Sequence, residues 1–201
     1  MSAPTAAARH LDGATWHAHA TIYKFHPDKA IAAVERFGHE PTLAELLGGG
    51  WEPDEITEVD GNLLTTVGLT RLTSLFTGAG GTAFDNTHGF IGVGTSTTAA
   101  LVGDTALGSN GTSNAWYRPL DASYPTTSGG AISANCTFGG SDANFAWNEW
   151  GSGISNSTSP TPANAIASVG TSPILVNHKI QTMGTKASPA IWGVLATITI
   201  A

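Results

Sequence analysis

Alternating apolar and polar positions predict β-strands near both ends of the chain. Residues 15–26, TWHAHATIYKFH, place the apolar side chains from Trp16 to Ile22 on one face. The same period of two recurs over 132–138 and over 192–200. Because both faces of the last segment are partly apolar, we expect that strand to be central in its sheet or covered by a partner.

The N-terminal half also contains patterns with helical spacing. Asp28 is a candidate cap for a short helix that Gly38 would end, and residues 42–47 would form one or two further turns. The strongest helical pattern covers 60–80 and should lie on one side or end of a sheet. The acidic stretch 52–60 is expected to be exposed.

Short apolar runs separated by Gly, Ser, Thr, Asn and Pro dominate the rest of the chain, as is typical of antiparallel β structure. The predicted fold class is mainly β (α+β), an antiparallel β-sandwich or barrel with a few short helices in the N-terminal half. We expect a flexible N-terminal arm at 1–13 and a single mostly β domain at 14–201. That domain has a helix-containing part, 26–80, and a β-rich part, 84–201.

Charged residues are scarce, at 11% of the chain, while hydrophobic residues make up an ordinary 41%. A soluble domain normally covers its surface with charged side chains, so this chain is expected to cover much of its surface with neighbouring proteins. The net charge of -7, with only 8 Lys and Arg, disfavours a nucleic-acid partner. No apolar run reaches the length of a membrane span.

The cysteine content is minimal. Cys136 is the single cysteine, which excludes an internal disulfide and indicates folding in a reducing cytoplasm. Its expected role is that of a small buried apolar side chain.

Motifs for catalysis or cofactor binding are incomplete. Ser96 in GVGTSTT lacks the flanking glycine of a nucleophile elbow. Gly92 and Gly94 lack the third glycine of a dinucleotide fingerprint, and Lys186 lacks the spacing of a phosphate loop. We therefore predict a non-enzymatic protein with no catalytic residue and no cofactor.

Two groups of residues are candidate metal sites. His17 and His19 lie two apart on a strand and could share a metal with His26 or a carboxylate, but packing and hydrogen bonding are the favoured roles. Asp85 and Asn86 lack the repeated spacing of a calcium loop and favour a turn. No metal site is predicted.

Glu149 lies between Trp147 and Trp150, where a carboxyl group could have a raised pKa and act as an acid. The favoured interpretation is that Glu149 pairs with a backbone or basic group, so that Glu149→Gln would change stability only slightly. The six tryptophans could form a sugar-binding platform, but core and interface positions are the preferred interpretation. They are Trp16, Trp51, Trp116, Trp147, Trp150 and Trp192.

Several motifs occur in a familiar order: GNLLTTVGLTRLTSLFTG, AFDNTHGFIGVGTSTTAA, YRPLDASYPTTSG, CTFGGSDANFAWNEWG, ILVNHKIQTMGTK and AIWGVLATITIA. In this order they resemble a family of tailed-bacteriophage virion structural proteins, over roughly Trp16 to Ala201. Family members often have Leu-Leu-Asn-Arg-Lys where this chain has LVNHK at 175–179, a departure that touches no residue with an expected chemical role.

The resemblance implies a virion component without catalytic residues. The first hypothesis is a capsid decoration or cement protein on the head exterior, made in the host cytoplasm, that binds the major capsid protein lattice. Such a subunit is expected to be a homo-oligomer, with a trimer among the forms considered. The alternatives are a tail or tail-fibre-associated protein, and a carbohydrate-binding or hydrolytic module that uses Trp147, Glu149 and Trp150 on host glycans.

Overall fold

The structure, a computed structural model, describes residues 16–158 and 160–200. The flexible arm expected at 1–13 lies outside these residues. The helices are α1 Pro27–Phe37, α2 Leu43–Gly48 and α3 Thr66–Phe76, with a 3-10 turn at Ile166–Ser168. The strands are β1 Trp16–Phe25, β2 Glu55–Asp60, β3 Leu63–Leu64, β4 Gly89–Gly94, β5 Ala115–Pro119, β6 Thr126–Ser128, β7 Ala131–Phe138, β8 Ala146–Ile154, β9 Ile174–Leu175, β10 Asn177–Thr185 and β11 Ile191–Ile200.

The strands form two antiparallel sheets with a shared apolar core. One sheet has the order β2-β1-β11-β7-β6, and the other has the order β3-β10-β8-β4-β5 with β9 beside β8. Ile22 and Val194 from the first sheet are buried in one cluster with Val93, Trp147 and Trp150 from the second. The predicted mainly β fold is confirmed, and the arrangement is sandwich-like.

The strands with the clearest alternation are confirmed. In β1, Ala18, Ala20 and Ile22 are buried while the intervening residues are partly or fully exposed. β11 lies between β1 and β7, which agrees with the prediction that the last strand is central. Cys136 of β7 is fully buried, as expected.

The first two helices cover one region of the β1 and β11 sheet. α1 begins after His26, which is its N-cap, so the prediction that Asp28 caps this helix was wrong; Asp28 lies in the first turn. Gly38 ends α1 in the left-handed conformation, at φ +76°, as predicted. A reciprocal capping box between Thr42 and Glu45 fixes the start of α2.

Two predicted segments differ from the structure. The stretch 52–60 contains the edge strand β2, which was missed because only Val59 of this strand is buried. The predicted helix at 60–80 is too long, because Leu63 and Leu64 pair with β10 and the helix runs only from Thr66 to Phe76. A left-handed Gly61, at φ +67°, lies between the two strands.

α3 packs against the chain between β9 and β10 through a backbone contact that requires glycine. A Cβ atom added to Gly68 would lie 2.8 Å from Val176 Cα and 2.9 Å from the Val176 carbonyl carbon. Gly68→Ala is therefore expected to lower the free energy of unfolding by about 1–3 kcal/mol, although Ala normally stabilises a helix interior. Urea denaturation would measure this change.

Gly48→Ala is the matched control, because Gly48 is also helical but has no atom within 4 Å of its added Cβ. This control should be neutral or stabilising by up to about 1 kcal/mol. Equal effects of the two substitutions would contradict the close approach at Gly68.

Candidate functional site: a buried acid and histidine cluster

Glu149 of β8 is fully buried and accepts hydrogen bonds from five donors. The backbone N–H groups of Ser96, Gly108 and Ser109 lie 3.2, 2.7 and 2.9 Å from its carboxylate oxygens. The Ser109 hydroxyl donates to Oε1 at 2.5 Å, and His178 Nε2 lies 2.9 Å from Oε2. These contacts satisfy a buried charge that would otherwise be strongly destabilising.

His178 of β10 connects Glu149 to a second carboxylate. Its Nδ1 lies 2.7 Å from Oδ2 of Asp104, and the His178 side chain is only 2% exposed. Because both ring nitrogens face carboxylate oxygens, the geometry fits an imidazolium that donates to both. The same Asp104 oxygen also accepts the Leu101 backbone N–H at 2.8 Å. We call Asp104, Ser109, Glu149 and His178 the Glu149 cluster.

The hydrogen bonds of the cluster favour its ionised state. Burial by itself would raise the pKa of Glu149, but hydrogen bonds from His178, Ser109 and Gly108 lower it below its ordinary value. Burial would lower the pKa of His178, but its hydrogen bonds to Glu149 and Asp104 raise it above its ordinary value. Both directions favour the charged forms of Glu149 and His178.

Glycines make room for the cluster beneath the loop at 95–114, which joins β4 to β5. A Cβ atom added to Gly94 would overlap Ser109 Oγ and Glu149 Oε1. Next to it, Gly92 leaves space for the buried ring of Tyr117, whose hydroxyl accepts the Leu107 N–H at 3.0 Å. The loop is thus fixed to the sheet by a charged anchor and an aromatic anchor.

The arrangement differs from a hydrolytic triad in what each atom faces. In a Ser-His-Asp triad the histidine accepts the proton of the nucleophilic hydroxyl. Here the Ser109 hydroxyl donates to Glu149, and His178 Nε2 also faces Glu149. The chemical effect of these contacts is to hold the 95–114 loop on the β8 and β10 strands.

The residues of the alternative glycan site are buried. Trp147 and Trp150 are 0% and 1% exposed, and both pack in the inter-sheet core. Trp147 makes edge contacts with Phe138 and Trp192 at ring-centroid distances of 4.9 and 4.8 Å. With Glu149 also buried, these side chains offer no surface to a sugar, while the preferred core role of the tryptophans is confirmed at these positions.

The histidines of β1 do not come together with His26. His19 lies 2.6 Å from both Glu58 and Asp60 of the neighbouring strand β2, and the hydrogen bond with Asp60 raises the pKa of His19 above its ordinary value. The His26 backbone N–H donates to Asp54 at 2.7 Å. Within residues 16–158 and 160–200, no group of three or more potential ligands has a metal-binding arrangement.

The remaining candidate residues, Asn86 and Lys186, make hydrogen bonds within the protein. Asn86 lies in a turn, as the favoured interpretation predicted, and its side chain also donates to the backbone carbonyls of Asp121 and Tyr124. Lys186 is 1% exposed, and its ammonium group donates to the carbonyls of Gly139 and Asp142 and to Asn144 Oδ1 at 2.6, 2.9 and 3.0 Å. Burial lowers the pKa of Lys186 to about 8.

A second site is an apolar groove on the surface. α3 and the adjoining ends of β1 and β11 enclose a cavity of about 690 Å³. Phe76 is 93% exposed there, Leu69 is 50% exposed, and Ile200 is 46% exposed. The sequence indicated this helix but not the exposure of its apolar side. The groove, called the α3 groove below, is lined mainly by Trp16, Leu64, Leu69, Leu72, Leu75, Phe76 and Ile200.

Comparisons with protein-family models, curated proteins and solved structures found no match to this chain. The resemblance to phage virion proteins therefore stays a prediction from the motifs. None of the helices described here has the length and apolar character needed to cross a membrane. The fold and the two sites define a mainly β, sandwich-like protein in which the Glu149 cluster fixes the 95–114 loop and α3 borders an exposed apolar groove.

Proposed function

We propose that the chain is a non-enzymatic structural subunit of a tailed-phage particle, and that it works by packing against other proteins. The α3 groove carries this proposal. Phe76, at 93% exposure, is a large aromatic side chain with almost its whole surface in water. Contiguous exposed apolar patches typically mark protein interfaces, and aromatic anchors are enriched among the residues that dominate binding.

The composition supports the same function. Only 11% of the residues are charged, so much of the surface consists of Ser, Thr, Asn, Gly and apolar groups. Interface cores are depleted in charged residues relative to the rest of a protein surface. A subunit assembled in many copies gains cumulative affinity from such modest contacts.

The titratable groups with the strongest internal contacts support a structural role. Glu149 and His178 are both almost completely buried, and their polar atoms bond to each other, to the loop backbone, to Ser109 and to Asp104. A loop held by a buried ion pair keeps a fixed shape, as a repeated lattice contact requires.

Within a particle, the proposed position is the head exterior, where the protein binds the major capsid protein lattice as a decoration or cement subunit. Besides the α3 groove, the edge strands β2 and β6 offer unpaired backbone groups to neighbours. Contacts that form only on the assembled shell stabilise it by mass action. A tail or tail-fibre position uses the same features and is the alternative.

Immunogold electron microscopy of particles from the phage that encodes the chain tests this function, using antibody against the recombinant protein. Dense label over intact heads is the expected result. Label confined to the tail would replace the capsid position by the tail position. If neither labelling nor mass spectrometry of disrupted particles detects the chain, that result would contradict the structural function itself.

A further inference from the structure

We infer that the α3 groove is a self-association surface, and that its occupant is the same groove on a second copy of this chain, with Phe76 of each copy inserted into the other. This inference names the partner of one surface and rests on the proposal that the chain is an assembled subunit. It concerns the free protein, so it can be tested apart from any particle.

The shape of the patch supports a partner identical to itself. Phe76 protrudes at the end of α3, while Leu69, Leu72 and Leu75 lie along the groove beside it. A two-fold contact needs a patch that is complementary to itself, so that each copy supplies what the other accepts. The α3 groove has both parts, a protruding ring and an apolar recess.

The charges also favour a second copy. None of the residues that line the groove is Asp, Glu, Lys, Arg or His. The charged residue of α3, Arg71, instead donates to the Thr82 carbonyl at 2.9 Å. Two copies of a chain with net charge -7 repel each other overall, and the uncharged residues that line the groove add no repulsion of their own when two grooves meet. A charged partner could form no ion pair with the residues that line the groove.

The size of the patch sets the expected affinity. Nine residues line the groove, whereas a standard stable interface uses about 20–30 residues on each side. The dimer should therefore be reversible, with a Kd of about 1–100 µM. Such a contact is weak for a free protein and sufficient for a subunit that is held in many copies.

Sedimentation analysis of the full chain over a range of concentrations provides the first test. The wild type should change from monomer to dimer as concentration rises, and Phe76→Asp should raise the Kd about 30-fold or more, since it removes the aromatic anchor and adds a like charge at the axis. Leu101→Asp is the matched control, because Leu101 is 63% exposed but lies outside the groove. This control should dimerise as the wild type does.

Cross-linking gives a second test that does not depend on tolerance of a buried charge. Cys136 is completely buried, so a cysteine introduced at the surface would be the accessible thiol for a short bismaleimide. Thr73 lies in the groove, so Thr73→Cys should give covalent dimers. Thr70 is exposed on α3 but lies outside the groove, so Thr70→Cys should give no covalent dimers.

The outcomes separate this inference from the proposed function. Three results would overturn the two-fold groove contact, even where particles label strongly. The wild type could stay monomeric at the highest concentrations, it could form a trimer, or its dimer could be weakened by Leu101→Asp as much as by Phe76→Asp. A dimer that depends on Phe76 would uphold the contact even where particles carry no label, and only the virion function would then fail.

Discussion

Glu149→Gln is expected to lower the free energy of unfolding by about 3–5 kcal/mol, the usual cost of removing one partner of a buried ion pair. The amide retains one acceptor oxygen but turns an NH₂ group toward donors that converge on both carboxylate oxygens, including Gly108 N–H at 2.7 Å and Ser109 N–H at 2.9 Å. It also leaves His178 without its buried counter-charge. Urea denaturation near pH 6 would measure the loss.

The matched control is Glu58→Gln on β2. Glu58 also contacts a histidine, His19, at 2.6 Å, but its side chain is 52% exposed. Solvent screens such a surface pair, so the expected change is below about 1 kcal/mol. A comparable loss from both substitutions would contradict the structural importance of the Glu149 cluster.

The sequence indicated one of the four residues of this cluster. Glu149 stood out as a carboxyl group between two tryptophans, and the favoured interpretation, a backbone or basic partner, is confirmed by the contacts with Gly108, Ser109 and His178. The alternative of a raised pKa was wrong, because these hydrogen bonds outweigh the effect of burial. The small effect first expected for Glu149→Gln is replaced by a large one for the same reason.

The partners of Glu149 could not be found from sequence because they are distant along the chain. His178 is 29 residues from Glu149 and 74 from Asp104. Only the pairing of β8 with β10 and the return of the 95–114 loop bring them together. One signal was present: Asn177 and His178 are polar residues inside the apolar run ILVNHKI, and buried polar residues on a strand require partners.

The fold was predictable where one face of an element is buried and the other is not. β1 has that contrast over most of its length, and β11 has it over its second half; both strands were predicted nearly to their ends. β2 has no clear alternation in its sequence, because its two apolar residues, Ile56 and Val59, fall on opposite faces of the strand, and its acidic residues indicated only that the stretch is exposed. The predicted helix at 60–80 was too long because Leu64 fits the helical spacing, although the pairing of Leu63 and Leu64 with β10 determines their conformation.

His178→Ala is expected to destabilise the protein by about 3–5 kcal/mol near pH 5.5, because it leaves Glu149 buried without its cation and removes the link to Asp104. The size of this loss should depend on pH. His178 has a pKa above its ordinary 6.5, so its contribution is fully present below about pH 6.5 and is lost as pH rises through the folded-state value. Glu149 has a pKa below its ordinary 4.5, so its contribution is lost as pH falls through that lower value.

The difference in unfolding free energy between wild type and His178→Ala should therefore be largest between about pH 4.5 and 6.5 and should shrink toward alkaline pH. Urea denaturation at several pH values would trace this profile. His19→Ala is the matched control, because His19 also contacts two carboxylates but its side chain is 34% exposed, and its loss should stay below about 1 kcal/mol. A His178→Ala penalty that grows with rising pH would show that the imidazolium does not hold the loop, and that neutral hydrogen bonds do so instead.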